Sequence, residues 1–184
     1  MFFDDDFWEE ITGQAGYQKR IYRFYIRRLE ILSRPKLEEE FESTEKNRRD
    51  YREMLFRSNG MKGNIGGVIL FDETIRQSSE DGSTLVDIIK DQGALPGIKV
   101  DKGLQPLNDS SEEVVTQGLD GLDERCKEYV SLGAKFTKWR AVIKIGENMP
   151  SDECIEANMK ALADYAKIVQ DNGMVPMVEP EVLM

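Results

Sequence analysis

Histidine is absent from all 184 residues. Its absence excludes Ser-His-Asp and Cys-His nucleophile systems and the usual histidine-bearing zinc sites, so proton transfer must fall to carboxylates and lysines. Cysteine is nearly absent: Cys126 and Cys154 each lie in a helical stretch without a partner motif. A disulfide framework is therefore not expected, and a reducing, cytoplasmic setting is. No apolar run approaches the ~18 residues of a membrane span. The start, Met1-Phe2-Phe3-Asp4-Asp5-Asp6, carries acids where an export signal needs basic residues. Positive charge is in deficit, with 25 Lys and Arg against 35 Asp and Glu and a net charge of -10. That balance argues against a nucleic-acid binder, although a local basic pocket can still hold an anion.

What is present is the composition of an ordinary globular protein, 40% hydrophobic and 33% charged. From about Thr44 onward, short β-like runs alternate with longer helical ones, separated by glycine or proline. A helix from about Thr44 to Arg57 carries Tyr51, Met54 and Leu55 on one side, and the apolar run Gly66 to Phe71 reads as a strand buried on both faces. Thr84 caps a short helix whose Leu85, Ile88 and Ile89 face inward, with Gly93 at its end. A strand from Gly97 to Asp101 follows. Asp120 is expected to cap the helix bearing Leu122, Cys126, Tyr129 and Val130, before a strand from Ala134 to Ile143. Ser151 caps a helix in which Ile155, Met159, Leu162, Ala166 and Val169 recur every three or four residues, and Met174 to Val178 is the last strand.

The strand starts near Ile65, Gly97, Lys135 and Met174 fall at intervals of 32, 38 and 39 residues. About 31 residues per unit is the period of an eightfold βα barrel. Four strands are visible, so the expected class is α/β with parallel strands, either a small open sheet or part of a barrel. Residues 1–42 differ. An acidic head precedes Lys19, Arg20, Arg23, Arg27 and Arg28 interleaved with Tyr17, Ile21, Tyr22, Phe24, Tyr25, Leu29 and Ile31. That stretch reads as a basic amphipathic helix, either a binding element for a membrane, RNA or acidic partner, or a helix packed on its own domain with a solvated face.

Buried strands rarely carry charge, because an unpaired charge in a low-dielectric interior is costly. Three of these strands carry charged pairs. Side chains alternate along a strand, so Lys99 shares a face with Asp101, Lys138 with Arg140, and Glu179 with Glu181. Each pair sits toward the C-terminal end of its expected strand, where a βα barrel mounts its catalytic groups. Singly, each reads as a local ion pair, a solvated edge or an exposed terminus; together they offer cations for phosphate and carboxylates for proton transfer. Pro180 between the two glutamates is expected to weaken the strand ladder there. The glycine run from Gly60 to Gly67 precedes a strand rather than a helix, which makes it a turn and not a phosphate cradle. Trp139, on the face opposite Lys138, is expected to pack against a helix.

Glu45-Lys46-Asn47-Arg48-Arg49, Gly66 to Thr74, Gly97-Ile98-Lys99-Val100-Asp101-Lys102-Gly103, Gln117 to Leu122, Lys138-Trp139-Arg140 and Val178-Glu179-Pro180-Glu181 resemble, in order and spacing, class I fructose-bisphosphate aldolases of bacterial flavour. The resemblance runs from about Ser43 to Met184 and divides the chain into a divergent segment, 1–42, and a partial aldolase barrel, 43–184. It implies a partial (β/α)₈ barrel of about four units. It also implies a lyase that reversibly cleaves fructose 1,6-bisphosphate to dihydroxyacetone phosphate and glyceraldehyde 3-phosphate, without metal or other cofactor. By the same resemblance Glu179 is the general acid/base, Lys138 the adjacent cation and Glu181 a hydrogen-bonding partner in that network. Lys99 and Arg140 are substrate-contacting positions, and Asp101 is an inward-facing one.

Two features of the family have no counterpart here. The first barrel strand, a Gly-Ile-Leu-Ala-Ala-Asp-Glu-Ser run, is missing from residues 1–42, and the Schiff-base lysine in its Leu-Leu-Lys-Pro setting lies beyond Met184. The expectation is a phosphorylated-sugar site without its nucleophile, inactive alone, whose open barrel self-associates or is completed by another chain. The alternative is a non-catalytic, aldolase-derived interaction module that binds through the basic N-terminal helix.

Overall fold

The computed structural model describes residues 42–109 and 112–184. The basic aromatic segment expected to be helical lies outside the described residues. Two compact units are present, one holding residues up to Val68 together with Glu73–Pro96, the other Ile69–Asp72 together with Gly97–Met184.

In the first unit, helix α1 (Glu45–Phe56) starts at Thr44, whose hydroxyl accepts the Asn47 N–H at 3.1 Å. Strand β1 (Gly67–Leu70) begins here, and the short α2 (Asp72–Ile75) and α3 (Leu85–Asp91) follow. The expected Thr84 cap is present, accepting the Asp87 N–H, and Leu85, Ile88 and Ile89 are buried as expected. Met54, expected inside, is 57% exposed; Phe56 is the buried apolar residue of α1. Arg48 and Arg52 instead turn α1 toward Glu73, which both contact at 2.6 Å.

The second unit contains strand β2 (Leu95–Lys99) from Gly97 onward, the antiparallel hairpin β3 (Leu104–Pro106) and β4 (Val114–Thr116), helix α4 (Leu122–Ser131), strand β5 (Phe136–Lys144), helix α5 (Asp152–Asp171) and strand β6 (Val175–Leu183). Its sheet runs in the order β1-β2-β5-β6, and β2–β5 and β5–β6 pair in parallel. Parallel strands joined through helices give this arrangement, so the expected parallel α/β class holds. The hairpin was not expected, since three-residue strands carry too little alternation to stand out.

Three details differ from the sequence reading. Asp120 does not cap α4: Gly121 does, in the left-handed conformation (φ 64°) and with no side-chain hydrogen bond. The buried stripe of α5 is Cys154, Asn158, Ala161, Leu162, Tyr165 and Val169, while Ile155 and Met159 are exposed. The rotation follows from two polar residues with buried partners. Asn158 donates to the Val114 carbonyl at 2.9 Å, and Tyr165 shares a 2.6 Å hydrogen bond with Thr137. A count of apolar residues alone selects the neighbouring stripe. Finally, β6 runs to Leu183 rather than Val178, in unbroken register with β5 through Pro180. Val175 donates to Lys135 and Leu183 accepts from Ile145, so the odd-numbered residues of β6 face β5. Backbone groups alternate sides along a strand, so the missing N–H of Pro180 points to the opposite edge and the ladder does not need it.

The layer between sheet and helix is well filled. Trp139 is fully buried against Tyr165, with ring centroids 5.2 Å apart, as expected for the face opposite Lys138. Ser151 caps α5 by accepting the Cys154 N–H, and the Glu113 carboxylate accepts both its N–H and its hydroxyl at 2.6 Å.

Candidate active site

Parallel register places Lys99 beside Lys138 and Lys138 beside Met177, and in the next row Arg140 beside Glu179. Register partners share a face, so Lys99, Lys138, Arg140, Glu179 and Glu181 project from the side of the sheet opposite Trp139 and α5. Each cation has an acidic partner. Lys99 Nζ lies 2.5 Å from Asp101 Oδ1, Lys138 Nζ lies 2.6 Å from Glu179 Oε2, and Arg140 Nε contacts Glu181 Oε2. The second and third contacts are ion pairs without the angular geometry of hydrogen bonds.

The structure thus brings together all six residues selected from sequence, but couples them differently. Only Lys99–Asp101 is a pair within one segment. The other two run diagonally between β5 and β6, each joining a residue to one two places beyond its register partner. β5 starts at Phe136 and runs to Lys144, so Lys138 and Arg140 are its third and fifth residues of nine rather than at the strand end. Lys138 and Glu179 are the most enclosed of the cross-strand groups, at 17% and 15% side-chain exposure. The Asp101 carboxyl is 5% exposed, and its Oδ2 has no hydrogen-bond partner among the described residues.

An enclosed carboxylate against an ammonium group can exchange a proton while the cation steadies the resulting negative charge. The flanking Lys99 and Arg140 supply further positive charge for an anionic ligand. Burial pushes the Cys126 thiol up to about 11 and likewise raises the Tyr165 phenol, so both stay protonated near neutral pH. Among the described residues no cluster of cysteine and carboxylate groups has the geometry to hold a metal ion.

Two contributors escaped the sequence reading. Arg125 donates to the carbonyls of Val100, at 2.9 Å, and of Gly118. The Thr116 hydroxyl donates to the Arg140 carbonyl at 2.7 Å. Side chains that bind main chain far away in sequence leave no local pattern. The only signal was an arginine on α4 beside the buried Cys126.

Comparison with known proteins agrees with the geometry. The family model for class-I fructose-bisphosphate aldolase matches residues 35–184. A relative from Xanthomonas campestris, named "Probable fructose-bisphosphate aldolase class 1", is 58% identical over 143 residues, which cover 78% of this chain and 43% of the relative. "Fructose-bisphosphate aldolase 6, cytosolic" of Arabidopsis thaliana is 54% identical over 78% of this chain and 40% of its own length. A ternary co-crystal structure of fructose-bisphosphate aldolase from Plasmodium falciparum, in complex with TRAP and a small-molecule inhibitor, matches with a TM-score of 0.75. It is 48% identical and covers 78% of this chain and 42% of that one. The chain spans less than half the length of these relatives. With a family model over most of its residues and the charged row in place, the chain belongs to the class I fructose-bisphosphate aldolases.

Proposed function

We propose that the charged face of β2, β5 and β6 is the acid/base and anion-contacting side of a site that reversibly cleaves fructose 1,6-bisphosphate to dihydroxyacetone phosphate and glyceraldehyde 3-phosphate. The observation that carries this reading is the enclosed Lys138–Glu179 pair at 2.6 Å, with Lys99 as the register neighbour of Lys138. Glu179 moves the proton, Lys138 stabilises the negative charge that develops beside it, and Glu181 holds Arg140 in the same network. Lys99 and Arg140 contact the phosphorylated sugar, and the unpartnered Asp101 Oδ2 is available to a substrate hydroxyl. No metal or other cofactor enters this scheme, and neither nucleic acid nor a membrane is a partner. The setting is the cytoplasm, the compartment in the name of the Arabidopsis relative. A further strand against β6, from a completing chain or a second copy, finishes the wall of the barrel.

None of the lysines stands in the Leu-Leu-Lys-Pro setting that the resemblance assigns to the Schiff-base residue. A polypeptide of these 184 residues is therefore inactive alone. Borohydride treatment with dihydroxyacetone phosphate tests this, and a stable adduct on Lys138 would overturn it. The functional reading itself is tested by exchanging the 143 matching residues into the Xanthomonas relative and measuring triose phosphate release. Cleavage that persists in the exchange and drops about a hundredfold in Glu179→Gln supports it, that being the usual weight of a general acid/base. Cleavage indifferent to Glu179→Gln refutes it. The binding-module alternative rests on residues outside the described ones; deleting residues 1–34 without loss of any partner in pull-downs removes it.

A further inference from the structure

The backbone that carries Lys99 and Asp101 leaves the sheet between them. Lys99 is the last residue of β2, and Val100 makes one more rung, its N–H donating to the Lys138 carbonyl at 3.1 Å. In a continuing parallel ladder the Val100 carbonyl would accept a strand N–H. Instead it accepts the guanidinium of Arg125, whose other terminal nitrogen donates to the Gly118 carbonyl. Residues 116–118 form a strap along the departing chain: Lys102 donates to the Gln117 carbonyl at 2.8 Å and Gln117 to that of Gly103 at 2.9 Å. The approach is close enough to require glycine. At Gly118 (φ 131°) a Cβ would lie 3.0 Å from Lys102 N, 3.2 Å from Val100 O and 3.3 Å from Asp101 Cα.

We propose that Arg125 is a positioning residue for the anion-contacting groups, its planar fork clamping Val100 to the Gly118 strap and thereby fixing Lys99 and Asp101. A guanidinium bridges two carbonyls at fixed separation, which an ammonium cannot do with the same geometry. Val100 lies between Lys99 and Asp101, so a shift of its peptide plane moves both charged side chains. Displacements of about 1 Å at a positioned group are enough to lose catalytic efficiency. This inference rests on the reading that Lys99 and Asp101 face the phosphorylated sugar.

The test uses the 184-residue chain, fructose 1,6-bisphosphate as calorimetric probe, and hydrogen exchange at the Lys102 amide as a readout independent of ligand. Arg125→Ala is expected to bind the bisphosphate about tenfold more weakly, the weight of one charge-assisted hydrogen bond. It should also exchange the Lys102 amide faster than the amides of α5, and free guanidinium ion at non-denaturing concentration should restore both. Arg125→Lys should keep the melting temperature nearer to wild type without recovering affinity. Unchanged affinity and unchanged Lys102 exchange in Arg125→Ala overturn the proposal. So does a loss that extends equally to α5 and is not rescued by guanidinium, which is a merely structural role. If Arg125→Ala does not fold, Arg125→Lys decides: wild-type affinity and Lys102 exchange in that variant overturn the positioning role. If the wild-type chain takes up no bisphosphate, the functional reading falls by itself, and Lys102 exchange still decides whether Arg125 holds this segment.

Discussion

Lys138 reaches Glu179 diagonally across two parallel strands, past its own register partner Met177, and the two charged groups meet at 2.6 Å with little access to water. Removing one partner leaves the other charge enclosed and uncompensated. Lys138→Met and Glu179→Leu are each expected to destabilise the chain by about 3 kcal/mol, while the double variant recovers most of that loss. Urea denaturation checks the energies. Triose phosphate release in the Xanthomonas exchange checks the function, which should stay lost in the double variant. A stable, fully active double variant would make the pair an ornament of the sheet.

Acid should weaken the first unit through Glu73. The Arg48 guanidinium, opposed by burial and joined by Arg52, holds the Glu73 carboxyl down to about 2, against an ordinary 4.5. The folded value lies below the unfolded one, so this contribution is fully present above about pH 4.5 and is lost as the pH falls toward 2. Glu73→Gln should therefore lower the melting temperature near pH 7, with the gap closing as the pH approaches 2. A gap that stays constant across this range would mean that the ion triad does not set the acid sensitivity.

Gly97 is required by its neighbour on β5. It pairs with Phe136, and a Cβ on Gly97 would sit 2.3 Å from the tip of the Phe136 ring, which is itself buried. Gly97→Ala is expected to cost about 2 kcal/mol from overpacking, and Phe136→Leu in the same chain to relieve part of it. Thermal melts of the two single variants and the double variant give the coupling directly. Strict additivity would place the strain elsewhere.

The local features of this fold were readable because their causes are local. Thr84 and Ser151 cap helices through their own hydroxyls, and Trp139 had to face away from Lys138 by strand alternation alone. The α5 face was misread because Asn158 and Tyr165 are buried by virtue of partners, Val114 and Thr137, that only the tertiary structure supplies. The six charged residues of the site were visible as charges in strands that should have none. Their pairing was not, since diagonal contacts between β5 and β6 depend on a register that no single strand encodes. Arg125 was invisible for a related reason: it binds the main-chain carbonyls of Val100 and Gly118, which every residue type carries, so the side chains at those positions do not announce the contact.

Among the described residues no strand lies against the outer edge of β6, and that edge is short of hydrogen-bond donors. Odd-numbered residues of β6 bond to β5, so the opposite edge is formed by Pro176, Val178, Pro180 and Val182, and two of these four have no N–H to offer. Val178 and Val182 are 44% and 51% exposed, so the strip is apolar enough to be sticky once its backbone can pair. Pro176→Thr combined with Pro180→Thr restores both missing donors without touching the Lys138–Glu179 or Arg140–Glu181 contacts, which project from the other face of the sheet. The double variant is expected to show stronger concentration-dependent association than wild type in sedimentation velocity, with added β signal in circular dichroism. If both chains sediment alike over a wide concentration range, the prolines do not guard this edge, and its accessibility is set instead by whatever strand lies against it.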